Sequence, residues 1–226
     1  MSQSYLPFLK ALSENNHKEW MDANRAWYLE VRGMFLEDVG EMLKAITEWE
    51  PGLTGFQPKD CIFRQNRDIR FSANKQPYKT NFAAYFAVGG KKSDGPGYYL
   101  HVQPNGTFAA GGIWMPQGDV IKKIRQEIDY SGGQLQEIIQ NPAFQKKFGG
   151  IEGEKLKTSP KGYDSDHQYI DLLRFKSFIA SSPIPDKDIA SGAFKKTAVE
   201  SFRLMKPLQD FLTKAVEDVE SGEGIL

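Results

Sequence analysis

An α+β fold is predicted, with an antiparallel sheet of about four to five strands packed against amino- and carboxy-terminal helices. Three observations carry the prediction. Apolar residues recur at helical spacing near both ends of the chain, strand-like runs occupy its middle, and an Asn-Gly pair at Asn105 and Gly106 signals a hairpin between two of those runs. Helices flanking an antiparallel meander make this class the natural one. The chain has 226 residues, 40% hydrophobic and 26% charged, enough to bury one large core. A single domain over residues 1–226 is therefore expected.

Leu6, Leu9 and Leu12 mark one face of a short first helix, which Asn15 and Asn16 end, with Asn16 free to cap the next helix. From there Trp20, Trp27, Val31, Met34, Phe35, Val39, Met42, Leu43, Ile46 and Trp49 form a stripe at i+3, i+4 and i+7 spacing. Read unbroken to Trp49, that helix is about 50 Å long, weakened at Gly33 and Gly40 and stopped by "EPGLTG". Its aromatic and Met residues are read as core. "NFAAYFAV" fits a strand buried on both faces. In "GYYLHVQPNGTFAAGGIW", a two-residue turn at Asn105–Gly106 sets His101 opposite Ala110, Tyr99 opposite Gly112 and Gln103 opposite Phe108, all on one face. The glycine-rich "VGGKKSDGPG" lacks a phosphate-loop pattern and reads as a mobile hairpin loop.

Helical spacing returns with Val120, Ile121, Ile124 and Ile128, and shorter helical pieces break at Pro142. A polar loop, "KTSPKGYDSDHQ", precedes a helical "YIDLLRF" and a strand in "KSFIASSPI" ended by Pro183 and Pro185. A final helix carries Phe194, Ala198, Phe202, Met205, Leu208, Phe211, Leu212 and Val216, with a kink or split expected at Pro207. "VESGEGIL" reads as a frayed tail.

Zero formal net charge argues against a surface wholly devoted to nucleic acid or anionic membrane, so any anion site must be local. One cysteine, Cys61, excludes an internal disulfide and a multi-cysteine metal site, which fits a cytoplasmic location. No run approaches the roughly 20 apolar residues of a membrane-spanning helix, and the start lacks the pattern of a secretory signal.

Against this neutral background, "FRQNRDIRFSANKQPYKTN" sets Arg64, Arg67, Arg70, Lys75 and Lys79 beside one carboxylate, Asp68. Arginines at every third residue stack on one side of a helical turn but alternate across a strand. If the segment curls, the five cations surround one anionic group, with Tyr78 and Asn81 adding neutral hydrogen bonds. The competing reading has Asp68 and distant carboxylates pairing the arginines while the lysines stay solvated.

Together with "FLKALSENNHKEWMDANRAWY", the blocks "IFRQNRDIRFSANKQPYKTNF", "GYYLHVQPNGTFAAGGIWMP" and "LKTSPKGYDSDHQYIDLLRFKSF" resemble the family called domain of unknown function 2461. The resemblance runs in order from about Leu6 to beyond Phe178. It departs at Gln65, where the family often has an aliphatic residue, and at Ala73–Asn74, where it often has a charged pair. It implies a single-domain α+β protein with no settled activity, and no catalytic residues to carry over.

"PKGYDSDH" offers Lys161 and Tyr163 as a second edge of the same pocket. Asp164, Asp166 and His167 read as helix-capping residues, Asp166 above all; no metal site is expected from only three histidines in the chain. His101 is the candidate proton-transfer residue, with Ala110 and Gly112 leaving room above its ring for a ligand or for a packed helix. The leading expectation is a metal-independent binder of a small phosphate- or carboxylate-bearing ligand, enzymatic or not. The alternatives are a nucleic-acid binder that stacks bases on Tyr99, Phe108 or Trp114 and a module that docks an acidic protein. The sequence names no cofactor and no oligomeric state.

Overall fold

The computed structural model describes residues 5–217, and the expected frayed tail lies outside the described residues. The helices are α1 (Tyr5–Glu14), α2 (Lys18–Ala23), α3 (Arg25–Thr47), α4 (Pro58–Cys61), α5 (Gly118–Gln140), α6 (Pro142–Phe148), α7 (Ile170–Leu173), α8 (Asp186–Ser191) and α9 (Phe194–Val216). The strands are β1 (Phe82–Phe86), β2 (Gly97–Val102), β3 (Phe108–Ile113) and β4 (Phe178–Pro183), and 3₁₀ turns occupy Pro51–Leu53 and Gly90–Lys92. The strands form one antiparallel sheet in the order β1-β2-β3-β4, with helices at both termini. The protein is α+β. No helix among the described residues is long and apolar enough to cross a membrane.

The chain divides into two compact units. Among the described residues, one holds 5–92 with Tyr98–Ala110 and Ser182–Arg203; the other holds Ser93–Gly97, Gly111–Ser181 and 204–217.

In the first unit, α1 buries Tyr5, Phe8, Leu9 and Leu12, and α3 buries Val31, Phe35, Val39, Met42, Leu43 and Ile46. These meet β1 through Phe82, whose ring stacks on Phe35 at 5.3 Å and on Phe8 at 6.3 Å. The long second helix is not continuous. It breaks at Asn24, whose amide donates to the Trp20 carbonyl at 2.9 Å while its backbone leaves helical geometry at φ −104°, ψ 20°. A short polar side chain that bonds local backbone offers the chain a way out of the helix. Nor does Asn16 cap α2: His17 is the N-cap, its ring accepting the Trp20 amide at 3.4 Å.

Strand β1 pairs with β2 so that Ala83 faces His101 and Tyr85 faces Tyr99, while Phe82, Ala84 and Phe86 point to the other, fully buried side. The hairpin after β2 turns one residue earlier than expected. The Gly106 amide donates to the Gln103 carbonyl at 3.1 Å, placing Pro104 and Asn105 at the centre, with Asn105 at φ 57°. Proline presets the first central residue and asparagine tolerates the left-handed second, so this pair outcompetes Asn-Gly. The Thr107 hydroxyl then donates to the Gln103 carbonyl at 2.9 Å and accepts its amide at 3.1 Å, closing the turn.

In the second unit, β3 and β4 approach at Gly112, which lies at φ 127°; a Cβ there would fall 1.9 Å from the Phe178 carbonyl oxygen. Helix α5 buries Ile124, Ile128 and Leu135 and continues past Ser131, where the backbone kinks at φ −128°. Asn141 caps α6 by accepting the Ala143 and Phe144 amides, with Pro142 in the first turn where its missing N–H costs nothing. Helix α9 runs through Pro207 without the expected split. Proline forfeits one helical hydrogen bond, but Phe202, Met205, Leu208, Phe211 and Leu212 are all buried on either side of it, and that burial outweighs the loss.

Candidate functional site

The basic segment neither curls into a 3₁₀ turn nor forms a helix; it is an extended arm. Phe63 donates its amide to Ala83, Lys79 donates to Gln65 and Arg67 donates to Pro77, with Asn66 bridged to Tyr78. The arm thus prolongs β1 as an irregular hairpin whose tip lies around Phe71. Two neutral amides hold its base. Gln65, only 4% exposed, donates to the Lys79 carbonyl and to that of Asn81, and Asn16 binds both backbone groups of Tyr78. A buried Gln satisfies these inward carbonyls, which an aliphatic side chain would leave unpaired.

The five cations separate into two sets. Arg70 is clamped by Asp68 through Nε at 3.0 Å and Nη2 at 2.7 Å, which holds the Asp68 carboxyl below its usual range. Arg67 donates to the Gln76 carbonyl and the Ser72 hydroxyl, and Lys75 donates to the Ile69 carbonyl. These three brace the arm. Lys79 and Arg64 belong to its base, where the Lys79 ammonium sits 5.1 Å from the Phe63 ring centroid. Partial burial first, and the Arg64 charge second, push Lys79 below the normal lysine range. A further cation joins from the loop after β1: Lys91 stands 5.9 Å from the same ring and donates to the Ile62 carbonyl at 2.7 Å. Neither Arg64, Lys79 nor Lys91 makes an ion pair with a described carboxylate. The glycine-rich loop contributes this residue through its 3₁₀ turn at Gly90–Lys92. Spacing gives no sign of it, because the bridge of Ile62 to Ala84 and the bond of Phe63 to Ala83 are what set Phe63 beside the loop that follows β1.

Beside this cationic edge lies a ring cluster on the half-buried face of the sheet. Phe63 meets Tyr99 at 6.2 Å, Tyr99 meets Phe108 at 5.8 Å, and Phe108 stacks on His101 at 4.9 Å with planes 13° apart. Phe108, where Ala110 was expected, is thus the ring's neighbour, and His101 stays half-buried. His101 Nε2 donates to Gln103 at 3.0 Å, while Nδ1 accepts from the Tyr99 hydroxyl at 3.1 Å and faces the Asn81 amide at 3.4 Å. Both nitrogens are engaged in the neutral form, and burial pushes the His101 pKa below its ordinary value.

Lys161 and Tyr163 lie in the second unit. Lys161 is exposed. Tyr163 meets His167 edge-on at 5.8 Å, and His167 Nε2 bonds Asp129 at 2.9 Å. Burial, then the Asp129 charge, raises the Tyr163 phenol. His167 Nδ1 accepts the Tyr169 amide at 3.1 Å, so this ring, rather than Asp166, steadies the approach to α7. Among the described residues no three His, Cys, Asp or Glu side chains come together as metal ligands would. Cys61 is buried and its thiol is pushed up to about 11, which leaves it protonated at neutral pH.

A four-stranded antiparallel sheet with terminal helices, bearing an arm whose base gathers cations without a described carboxylate beside half-buried rings, defines an α+β protein with a localised basic surface. The chain belongs to the family described as Conserved hypothetical protein (DUF2461), which it matches over residues 4–211. No curated protein and no solved structure matches the chain.

Proposed function

We propose that the protein binds a small phosphate- or carboxylate-bearing ligand at the base of the arm, with Arg64, Lys79 and Lys91 as the anion contacts. The observation that carries this reading is the half-buried Lys79, depressed by burial and by Arg64, with no described carboxylate to compensate it. Cations gathered without a counter-charge repel one another, and an anion seated among them removes that cost. Asn81, whose amide faces His101 Nδ1, would add a neutral hydrogen bond. Arg67, Arg70 and Lys75 act by bracing the arm, and Tyr78 by tying it to Asn16. His101 fixes the orientation of Tyr99 and Gln103. For it to transfer a proton, an incoming ligand must displace the Tyr99 hydroxyl from Nδ1, so binding is the primary activity and proton transfer a consequence of it.

Thermal unfolding with inorganic phosphate, pyrophosphate and citrate tests the reading. Ligand at ten times its Kd adds roughly 1.4 kcal/mol, or about 3–5 °C in Tm for a chain of this size. The expected result is such a rise with at least one of these anions and its loss in the Lys79→Met, Lys91→Met double variant. A wild type unmoved by all three removes the proposal.

A further inference from the structure

The tip of the arm carries Phe71, which is 96% exposed. Its exposure is held in place: Asp68 clamps Arg70, Arg70 lies 5.8 Å over the Phe71 ring, and Arg67 and Lys75 bond back to the strands on either side. Single exposed apolar residues are ordinary on protein surfaces. A ring displayed on a braced hairpin between cations is less so, because nothing folds it down. The same pairing recurs at the base, where Lys79 and Lys91 flank Phe63. The first unit therefore repeats a cation-and-ring pair at two places along one arm.

We infer that the anionic ligand of this site is a single-stranded nucleic acid, whose phosphates meet Arg64, Lys79 and Lys91 at the base of the arm and whose bases stack on Phe71 and beside Phe63; this rests on the anion-binding reading above. A strand that alternates phosphates with flat bases is the ligand whose own pattern repeats in this way. A lipid surface offers charge in a plane and no rings. An acidic protein supplies carboxylates, but it has no regular ring to cover Phe71. Phe63 and Phe71 are eight residues apart, so they lie at most about 26 Å from one another at strand rise. At roughly 3.4 Å per nucleotide of a stacked strand, that distance corresponds to about eight nucleotides. A ten-mer reaches both ring sites; a dinucleotide reaches one. RNA and DNA share this chemistry, and the backbone sugar decides between them.

Fluorescence anisotropy with fluorescein-labelled decathymidylate, decauridylate and dithymidylate in 50 mM salt provides the test. The ten-mers are expected to bind at least tenfold more tightly than the dimer, and to weaken steeply on raising salt to 200 mM. Phe71→Ala should lose about tenfold on the ten-mers, Phe71→Trp should retain binding, and neither change should alter Tm or the response to pyrophosphate. Three results overturn the inference: ten-mers that bind no better than the dimer, a Phe71→Ala protein that binds them like the wild type, or polyglutamate or phosphatidylserine vesicles binding equally well. If phosphate, pyrophosphate or citrate still raises Tm in any of these cases, the anion site stands without the nucleic acid; if none of them does, both readings fall together.

Discussion

Asn16 and Tyr78, separated by 62 positions in the chain, are joined by two hydrogen bonds of 3.0 Å: the Asn16 amide donates to the Tyr78 carbonyl, and its carbonyl accepts the Tyr78 amide. The side chain thus stands in for one residue of a neighbouring strand and fastens the arm to the junction between α1 and α2. Replacing Asn16 with alanine leaves both backbone groups of Tyr78 unpaired at a half-buried position, at a cost of about 1–3 kcal/mol. Denaturant unfolding measures that loss. Amide exchange gives the sharper check, since Tyr78 and Arg67 should lose protection while the core amides of α3 do not.

The pH dependence of stability follows from His101. Burial lowers its folded pKa beneath the ordinary value of 6.5, so the unfolded chain binds more protons than the folded one as pH falls below that value. Its contribution is present above about pH 6.5 and is lost as pH drops toward and through the folded pKa. A His101→Phe variant, which keeps a ring against Phe108, should show a smaller fall in Tm than the wild type between pH 7 and pH 5. Parallel curves would mean that the imidazole does not titrate in this window.

Gly112 is the position least tolerant of a side chain. Alanine there meets the Phe178 carbonyl at 1.9 Å and must also hold φ 127°, a conformation costly for any residue with a Cβ. A loss of about 3 kcal/mol or more is expected, seen as low soluble yield or a much reduced Tm. Gly33, whose added Cβ would meet nothing within 4 Å, is the control, and Gly33→Ala should stabilise α3 slightly.

Lys79 links stability with binding. Because its charge is disfavoured by burial and by Arg64, removing that charge relieves repulsion in the free protein. Lys79→Met is therefore expected to leave Tm unchanged or raise it a little without ligand, and to diminish the rise produced by pyrophosphate. Partial exposure of the ammonium screens the effect, so the gain in Tm is small. A clear fall in Tm without ligand would assign Lys79 a structural role instead.

Several parts of this molecule were readable from local pattern. The stripe from Val31 to Ile46, the run Phe82–Phe86 and the strand at Phe178–Pro183 announce themselves because burying one face imposes a fixed period on the residues that do it. The basic stretch was equally visible as a concentration of charge. Its conformation was not, since three arginines at third positions fit a helical turn as well as a strand, and the choice fell to Gln65, Asn16 and the carbonyls of Ala83 and Pro77.

Sequence by itself therefore determined the α+β class, most of the core-facing positions and the location of the positive charge, because each depends on neighbours within a few residues. Tertiary structure alone decided which cations are spent on bracing and which stand without a described carboxylate, that Lys91 joins Lys79 at Phe63, and that Phe108 stacks on His101. Those outcomes turn on contacts between distant segments, where strand pairing and the neutral amides that fix it place side chains that no local spacing connects.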